Sequence, residues 1–130
     1  EQYQQAAELS EFINSLESPV GAAGVILCGD LNSLPFFRSV KVLESGGMVD
    51  AHKEKGVGSG CTFPSTGLPG ILWCPFSRPI LRLDYIFMKP YNPGGIILDR
   101  VEVVKRVNGN GSDEMASDHL PLCAVFVVTG

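Results

Sequence analysis

The sequence lacks several features that would define a function class at once. No apolar run reaches the roughly 18 residues of a membrane-spanning helix, so no such helix is predicted. None of the four cysteines belongs to a C-x-x-C pair, which disfavours a zinc cluster. Basic residues are not in excess, and the net charge of -4 argues against a strongly basic nucleic-acid surface.

The composition is that of a folded domain. The chain has 130 residues, the size of one ordinary domain, and its 45% hydrophobic content is sufficient for a core. It begins without Met, which is compatible with a piece of a longer protein. Cys28 and Cys123 lie in apolar runs, and we expect them to be buried thiols. Cys61 and Cys74 share one loop region and could pair in an oxidising compartment.

Apolar periodicity and turn residues predict two helices and four strands. The first helix covers residues 2–17, and a second begins near Pro35 and is closed by Gly46-Gly47. A short apolar run at 25–28 predicts a strand covered on both faces. Alternating or β-branched segments predict the remaining strands, at 82–88, 96–107 and 120–128. These elements indicate a layered α/β or α+β fold.

One long segment, residues 53–80, is rich in glycine and proline and predicts a loop. Its aromatic residues, among them Phe63 and Trp73, favour an ordered loop that lines a site. The glycines from Gly56 to Gly60 could form a nucleotide-binding loop, but they do not follow a predicted strand. His52 and its lysine neighbours indicate a solvated surface, and Asp50 is interpreted as a structural residue at a strand end.

Five polar residues are the candidate site: Asp30, Asn32, Asp84, Asp118 and His119. Each has a structural alternative when taken alone. Asp30 and Asn32 are good turn residues, Asp84 could pair with Arg82, and the Asp118-His119 pair could cap the final strand. Together they suit phosphate chemistry. A carboxylate can fix the tautomer of a histidine and raise its basicity, a second carboxylate can activate water, and an Asn amide can bind a phosphate oxygen.

Three segments carry a family resemblance, in this order along the chain: Gly29-Asp30-Leu31-Asn32, Arg82-Leu83-Asp84-Tyr85-Ile86 and Ser117-Asp118-His119-Leu120-Pro121-Leu122. They resemble the endonuclease/exonuclease/phosphatase superfamily, which has the deoxyribonuclease I-like fold. The resemblance covers nearly the whole chain. It implies a β-sandwich flanked by helices and a metal-dependent hydrolase of phosphate esters.

The resemblance also implies a role for each residue. Asp30 would orient or activate the attacking water, and Asn32 would contact the scissile phosphate. Asp84 would hold the imidazole of His119, which would stabilise charge on a phosphate oxygen. Asp118 would lie at a Mg²⁺ or Mn²⁺ ion or position its water. The substrate, whether nucleic acid, lipid or small molecule, stays open.

The sequence departs from the family pattern in one respect. The first half of the family domain carries an Asn and a metal-binding Glu, and no segment here matches them. Glu8, Glu11 and Glu17 lie on or near the first helix instead. We therefore expect residues 1–130 to be the C-terminal portion of one such domain, inactive by itself, and to pair with the missing N-terminal half or with another copy. The alternative function is a non-catalytic interaction or scaffold domain that retains the fold.

Overall fold

A computed structural model describes residues 1–16, 18–64, 79–104 and 117–129. The first three elements along the chain are a helix, a strand and a second helix. The elements are α1 (Gln2–Ser15), β1 (Gly24–Asp30), α2 (Arg38–Ser45), β2 (Val49–Asp50), α3 (Ala51–Lys55), β3 (Asp84–Pro90), β4 (Ile96–Val103) and β5 (Leu122–Val128). None of the helices in these ranges is long and apolar enough to cross a membrane.

The first sheet has the strand order β1-β3-β2, and all of its pairs are antiparallel. β1 and β3 are in register over their whole length, from Gly24 opposite Pro90 to Asp30 opposite Asp84. Because side chains alternate along a strand, one face of this pair carries Leu27 and Phe87. The other face ends in the two aspartates.

Helices α1 and α2 cover the Leu27–Phe87 face of the first sheet. Ile13 on α1 and Leu43 on α2 pack against Tyr85 and Phe87 of β3 in one buried cluster. The apolar spacing that predicts the helices therefore also defines the side on which they meet the sheet. The aromatic rings of Tyr85 and Phe87 stack with centroids 5.5 Å apart.

The second sheet is the antiparallel pair β4-β5, with a register shift between Leu98 and Arg100. Its inward side chains, Leu98 and Val101, form a second cluster with Ala51 of α3. Ile86 and Met88, on the aspartate-bearing face of β3, pack against this cluster. The fold is therefore α+β with two antiparallel sheets and helices, in agreement with the expected fold class and consistent with a deoxyribonuclease I-like architecture.

Two expectations about buried residues in the strands were wrong. Cys28 and Cys123 are exposed thiols. β1 is not covered on both faces, since Ile26, which shares a strand face with Cys28, is 47% exposed. The physical reason is that the second sheet covers the β3 part of this face, so an apolar strip remains open along β1. A run of apolar residues in the sequence does not distinguish a covered strand from one with an open face.

The expected surface position of His52 was also wrong. Residues 51–55 form the short helix α3, whose last three residues belong to the segment predicted as loop, and the carboxylate of Asp50 caps this helix by accepting the N–H groups of His52 and Lys53. His52 is buried in this helix, with 7% of the residue exposed. Gly56 and Gly60 pack against this ring, and a Cβ at Gly56 would lie 2.3 Å from it. The glycines suggested as a nucleotide-binding loop therefore follow helix α3, and two of them pack around His52.

The remaining differences concern element ends. α2 begins at Arg38, three residues after Pro35, and ends at Ser45, with Gly46 as its C-cap as expected. β3 runs from Asp84 to Pro90, two residues later than predicted. Residues 105–107 of the predicted strand and Cys74 of the suggested Cys61–Cys74 pair lie outside the described residues, as do Trp73 and half of the 53–80 segment.

Candidate active site

Two aspartates meet where the β1–β3 ladder ends. Asp30 is the last residue of β1 and Asp84 the first of β3, and the register places them directly opposite each other. The antiparallel pairing brings together residues that are 54 positions apart in the sequence. Both side chains are partly exposed, at 34% for Asp30 and 22% for Asp84. They can therefore be reached from solvent.

The chain turns sharply after Asp30. The Asp30 Oδ1 atom accepts the backbone N–H of Asn32 at 2.8 Å, and Asn32 has a left-handed backbone with φ of 48°. Asn tolerates this conformation better than most residues because its short polar side chain bonds locally. Asp30 therefore shapes the turn with one oxygen, while its other oxygen, Oδ2, faces His119. The turn interpretation and the functional interpretation of this motif are compatible.

His119 completes the group. Its Nδ1 lies 2.7 Å from Asp84 Oδ2, and its Nε2 lies 4.0 Å from Asp30 Oδ2. Since an ionised carboxylate can only accept, we assign the proton of the neutral ring to Nδ1. Nε2 is then the nitrogen that can bind or receive a proton on the solvent side. A backbone bond from His119 N–H to Ser117 Oγ, at 3.1 Å, holds the loop that carries the ring.

Thr62 and Phe63 support the pair that Asp84 and His119 form. The hydroxyl of Thr62 donates to Asp84 Oδ2, and the Thr62 carbonyl accepts the N–H of Leu120 at 2.7 Å. The ring of Phe63 lies against the imidazole of His119, with centroids 4.9 Å apart. The aspartate and the histidine are thus both held by side chains and by backbone.

The charges around His119 raise its pKa above the ordinary value. The hydrogen bond to Asp84 is the largest cause, partial burial opposes it, and the charges of Asp84, Asp30 and Asp118 add to it. Three carboxylates in the neighbourhood therefore favour the imidazolium form. A histidine in this setting is a good partner for a negatively charged phosphate oxygen.

A buried ion pair lies beneath the start of β3. Arg82 donates to the carboxylate of Asp50, and the exposed fractions of the two side chains are 8% and 1%. The guanidinium also lies over the ring of Tyr85, 4.7 Å from its centroid. The Tyr85 hydroxyl donates to the backbone carbonyl of Ser33 at 2.6 Å, in the turn that follows Asp30. Arg82 therefore pairs with Asp50, and its suggested pairing with Asp84 was wrong.

The described residues do not by themselves form a metal centre. Asp118 is exposed, and its carboxylate lies close enough to influence the charge of His119. Within residues 1–16, 18–64, 79–104 and 117–129, however, no three acidic, histidine or cysteine side chains are arranged to hold one ion. Asp84 already accepts hydrogen bonds from Thr62 and His119. Mg²⁺ in proteins is commonly bound by one or two carboxylates, with water and substrate oxygens as its other ligands, so Asp118 could supply one ligand of such an ion but not a complete site.

An open pocket of about 340 Å³ adjoins the pair, on the uncovered face of β1. Its wall near the pair contains Asp84 and His119, and its remaining lining is largely apolar, including Cys28, Ile86 and Leu120. The pocket continues the strip along β1 that the second sheet leaves open.

The structure brings together Asp30, Asp84 and His119. Asn32 and Asp118 lie next to this group because they are close to Asp30 and His119 in the chain. Sequence reasoning missed Thr62 as a member of this group. Its only local signal was the neighbouring Phe63, which indicated a loop that lines a site. The contact with Asp84 spans 22 residues and depends on the backbone pairing of Thr62 and Phe63 with Leu81.

Fold and site together define an α+β protein that carries a carboxylate-held histidine at the end of a sheet. The family model described as the Endonuclease/Exonuclease/phosphatase family matches residues 5–119, and the chain belongs to this family. Its enzymes are generally metal-dependent phosphoesterases and nucleases. No curated protein matches the chain.

Proposed function

We propose that this chain carries the second half of the active site of a phosphate-ester hydrolase. The observation that carries the proposal is the convergence of Asp30 and the Asp84-held His119 within one partly exposed group. A family match alone would leave the chemistry open, because one fold can host different activities. The geometry adds a histidine whose Nδ1 contacts one carboxylate and whose Nε2 lies 4.0 Å from a second.

Each residue would have a distinct role in water attack on phosphorus. Asp30 would orient or deprotonate the water, since its Oδ2 is the carboxylate oxygen that faces His119 rather than the turn. His119 would stabilise negative charge on a phosphate oxygen through its Nε2, and Asp84 would hold the ring and its charge. Asn32, in the turn beside Asp30, would bind a phosphate oxygen without adding negative charge.

A divalent cation, Mg²⁺ or Mn²⁺, would be held by Asp118 and by ligands that the described residues do not supply. In this class of reaction such an ion neutralises charge on the phosphoryl group. We propose that a missing N-terminal half of the domain supplies the remaining carboxylate. The open apolar strip along β1, with Ile26 and Cys28 exposed, supports a packing partner on this face.

Hydrolysis of an aryl phosphodiester in the presence of Mg²⁺ or Mn²⁺ tests the proposal. The assay compares the 130-residue chain with a chain extended N-terminally by the preceding residues of its gene. We expect turnover from the extended chain alone and its loss on Asp30→Ala. Analytical ultracentrifugation of the two chains tests whether the open strip needs a packing partner. We expect the 130-residue chain to self-associate and the extended chain, in which the N-terminal half covers the strip, to stay monomeric.

If the extended chain hydrolyses no diester, monoester or lipid head group and binds no metal, the proposal is contradicted. The non-catalytic scaffold function would then take its place. Turnover that survives Asp30→Ala would instead remove the assigned role of Asp30 while leaving the reaction class in place.

A further inference from the structure

The segment that contains Thr62 is attached to the chain that leads into β3. The N–H groups of Thr62 and Phe63 both donate to the carbonyl of Leu81, at 2.9 and 3.0 Å, and Leu81 N–H donates to Phe63 O at 2.9 Å. Leu81 lies three residues before Asp84. The backbone of Thr62 therefore has a defined position relative to the first residue of β3.

From this position Thr62 contacts Asp84 and the residue that directly follows His119. Its hydroxyl must donate to Asp84 Oδ2, because an ionised carboxylate has no proton to give. The same oxygen accepts from His119 Nδ1, 2.7 Å away. The backbone carbonyl of Thr62 accepts the N–H of Leu120, the residue directly after His119. Thr62 is 0% exposed, so water cannot replace the hydroxyl without a rearrangement.

We propose that Thr62 is a positioning residue that holds Asp84 and His119 in the arrangement required for catalysis, an inference that rests on the proposed hydrolase function. The two donors that meet at Oδ2 restrict the rotation of the carboxylate, and the carbonyl contact restricts the histidine loop. Without the hydroxyl, the Asp84 carboxylate can rotate and its bond to the imidazole loosens. A misplacement of about 1 Å at a reacting group costs roughly 10²-fold in rate.

The test compares Thr62→Val, which keeps the shape and removes the donor, with Thr62→Ser, which keeps the donor. Ser39→Ala is the matched control, because the Ser39 hydroxyl donates to Ser33 Oγ at 2.8 Å in a buried pair that contacts neither Asp84 nor His119. The first measurement is ¹⁵N-resolved NMR of the imidazoles at one pH with a chelator present. We expect a protected Nδ1 proton on His119 in the native chain, in Thr62→Ser and in Ser39→Ala, and its loss in Thr62→Val.

The second measurement is kinetic and uses the chain that turns over the aryl diester. Thr62→Val should lower kcat by about 10²-fold with little change in KM, since the residue acts on the pair and not on the substrate. Thr62→Ser should recover most of this loss. Ser39→Ala should change kcat little, even if its melting temperature falls as far as that of Thr62→Val.

A native Nδ1 signal in Thr62→Val would overturn the positioning role, as would a kcat loss that Thr62→Ser fails to recover. The NMR result does not depend on turnover. If no phosphate ester is hydrolysed but the Nδ1 proton still requires the Thr62 hydroxyl, the positioning of the pair stands and the hydrolase function is what fails.

Discussion

Asp30 and Asp84 lie directly opposite each other in the β1–β3 register, with His119 in contact with one and 4.0 Å from the other. Like charges at opposite positions of an antiparallel pair destabilise a sheet by several tenths of a kcal/mol. Their position at the end of the ladder, partly exposed to solvent, limits this cost. The same position makes them accessible to a substrate.

In the N-terminally extended chain, Asp30→Asn should therefore leave the protein as stable as before or stabilise it by about 0.2–1 kcal/mol while it abolishes turnover. The Asn side chain retains an oxygen for the Asn32 N–H, so the turn should persist. Urea unfolding of the two chains measures the free-energy difference, and the diesterase assay measures the activity. A clear loss of stability would show that Asp30 is retained for the fold.

In the N-terminally extended chain, Asp84→Asn should depress turnover sharply and leave the fold intact. An amide can present its NH₂ group to Nδ1, which favours the wrong imidazole tautomer, and it has no charge to stabilise the imidazolium. Circular dichroism checks the fold and kcat checks the function. A normal kcat would remove Asp84 from its role in holding His119.

Arg82→Met should destabilise the protein by roughly 3–5 kcal/mol, because it leaves the Asp50 carboxylate buried without its partner. The exposed pair between Lys53 and Glu44, at 3.1 Å, offers a matched control. Lys53→Ala should cost less than about 1 kcal/mol. Chemical denaturation measures the free energy of unfolding of both variants. Equal losses in the two variants would contradict the larger contribution to stability that we assign to the buried pair.

The two histidines should titrate on opposite sides of the ordinary histidine pKa of about 6.5. The pKa of His52 is lowered, first by burial and then by the nearby Arg82 charge, although Asp50 opposes this. The pKa of His119 is raised, first by its bond to Asp84. Since the sequence has 2 histidines, a single NMR titration in the presence of a chelator resolves both. Two coincident titrations near 6.5 would contradict the prediction.

These shifts act on stability with opposite signs. For His52 the unfolded chain binds the proton more tightly, so the free energy of unfolding falls as the pH drops below about 6.5 and through the lowered pKa. For His119 the folded chain binds the proton more tightly. Its contribution is complete below about 6.5 and is lost as the pH rises through the raised pKa. Unfolding of His52→Gln should lack the acid-side loss, which isolates the first effect.

Much of the fold could be predicted because local patterns agree with it. The spacing of Leu9 and Ile13 predicts α1, and the alternation around Tyr85 and Phe87 predicts β3. The starts of the predicted strands could be placed to within two residues. Periodicity shows that a face is apolar but not whether another element covers it. Cys28 and Cys123 were misassigned for this reason.

His52 shows a different limit. Its lysine neighbours indicated solvent, yet the Asp50 cap and the close approach of Gly56 and Gly60 bury the ring. Helix α3 is a single short element, and its five residues leave too little apolar periodicity to detect. The cap depends on Asp50, whose Arg82 partner lies 32 positions away. Such a contact has no local signature.

The sequence by itself determined the identity of the candidate site, because Asp30, Asn32, Asp84, Asp118 and His119 occur in three ordered motifs next to apolar strands. Only the tertiary structure decided how Asp30, Asp84 and His119 are arranged. Antiparallel register places Asp30 opposite Asp84, and the backbone pairing of Thr62 and Phe63 with Leu81 puts Thr62 against that carboxylate and Phe63 against His119. Residue types are local information, whereas the distances that make them one chemical group arise from packing between elements far apart in the chain.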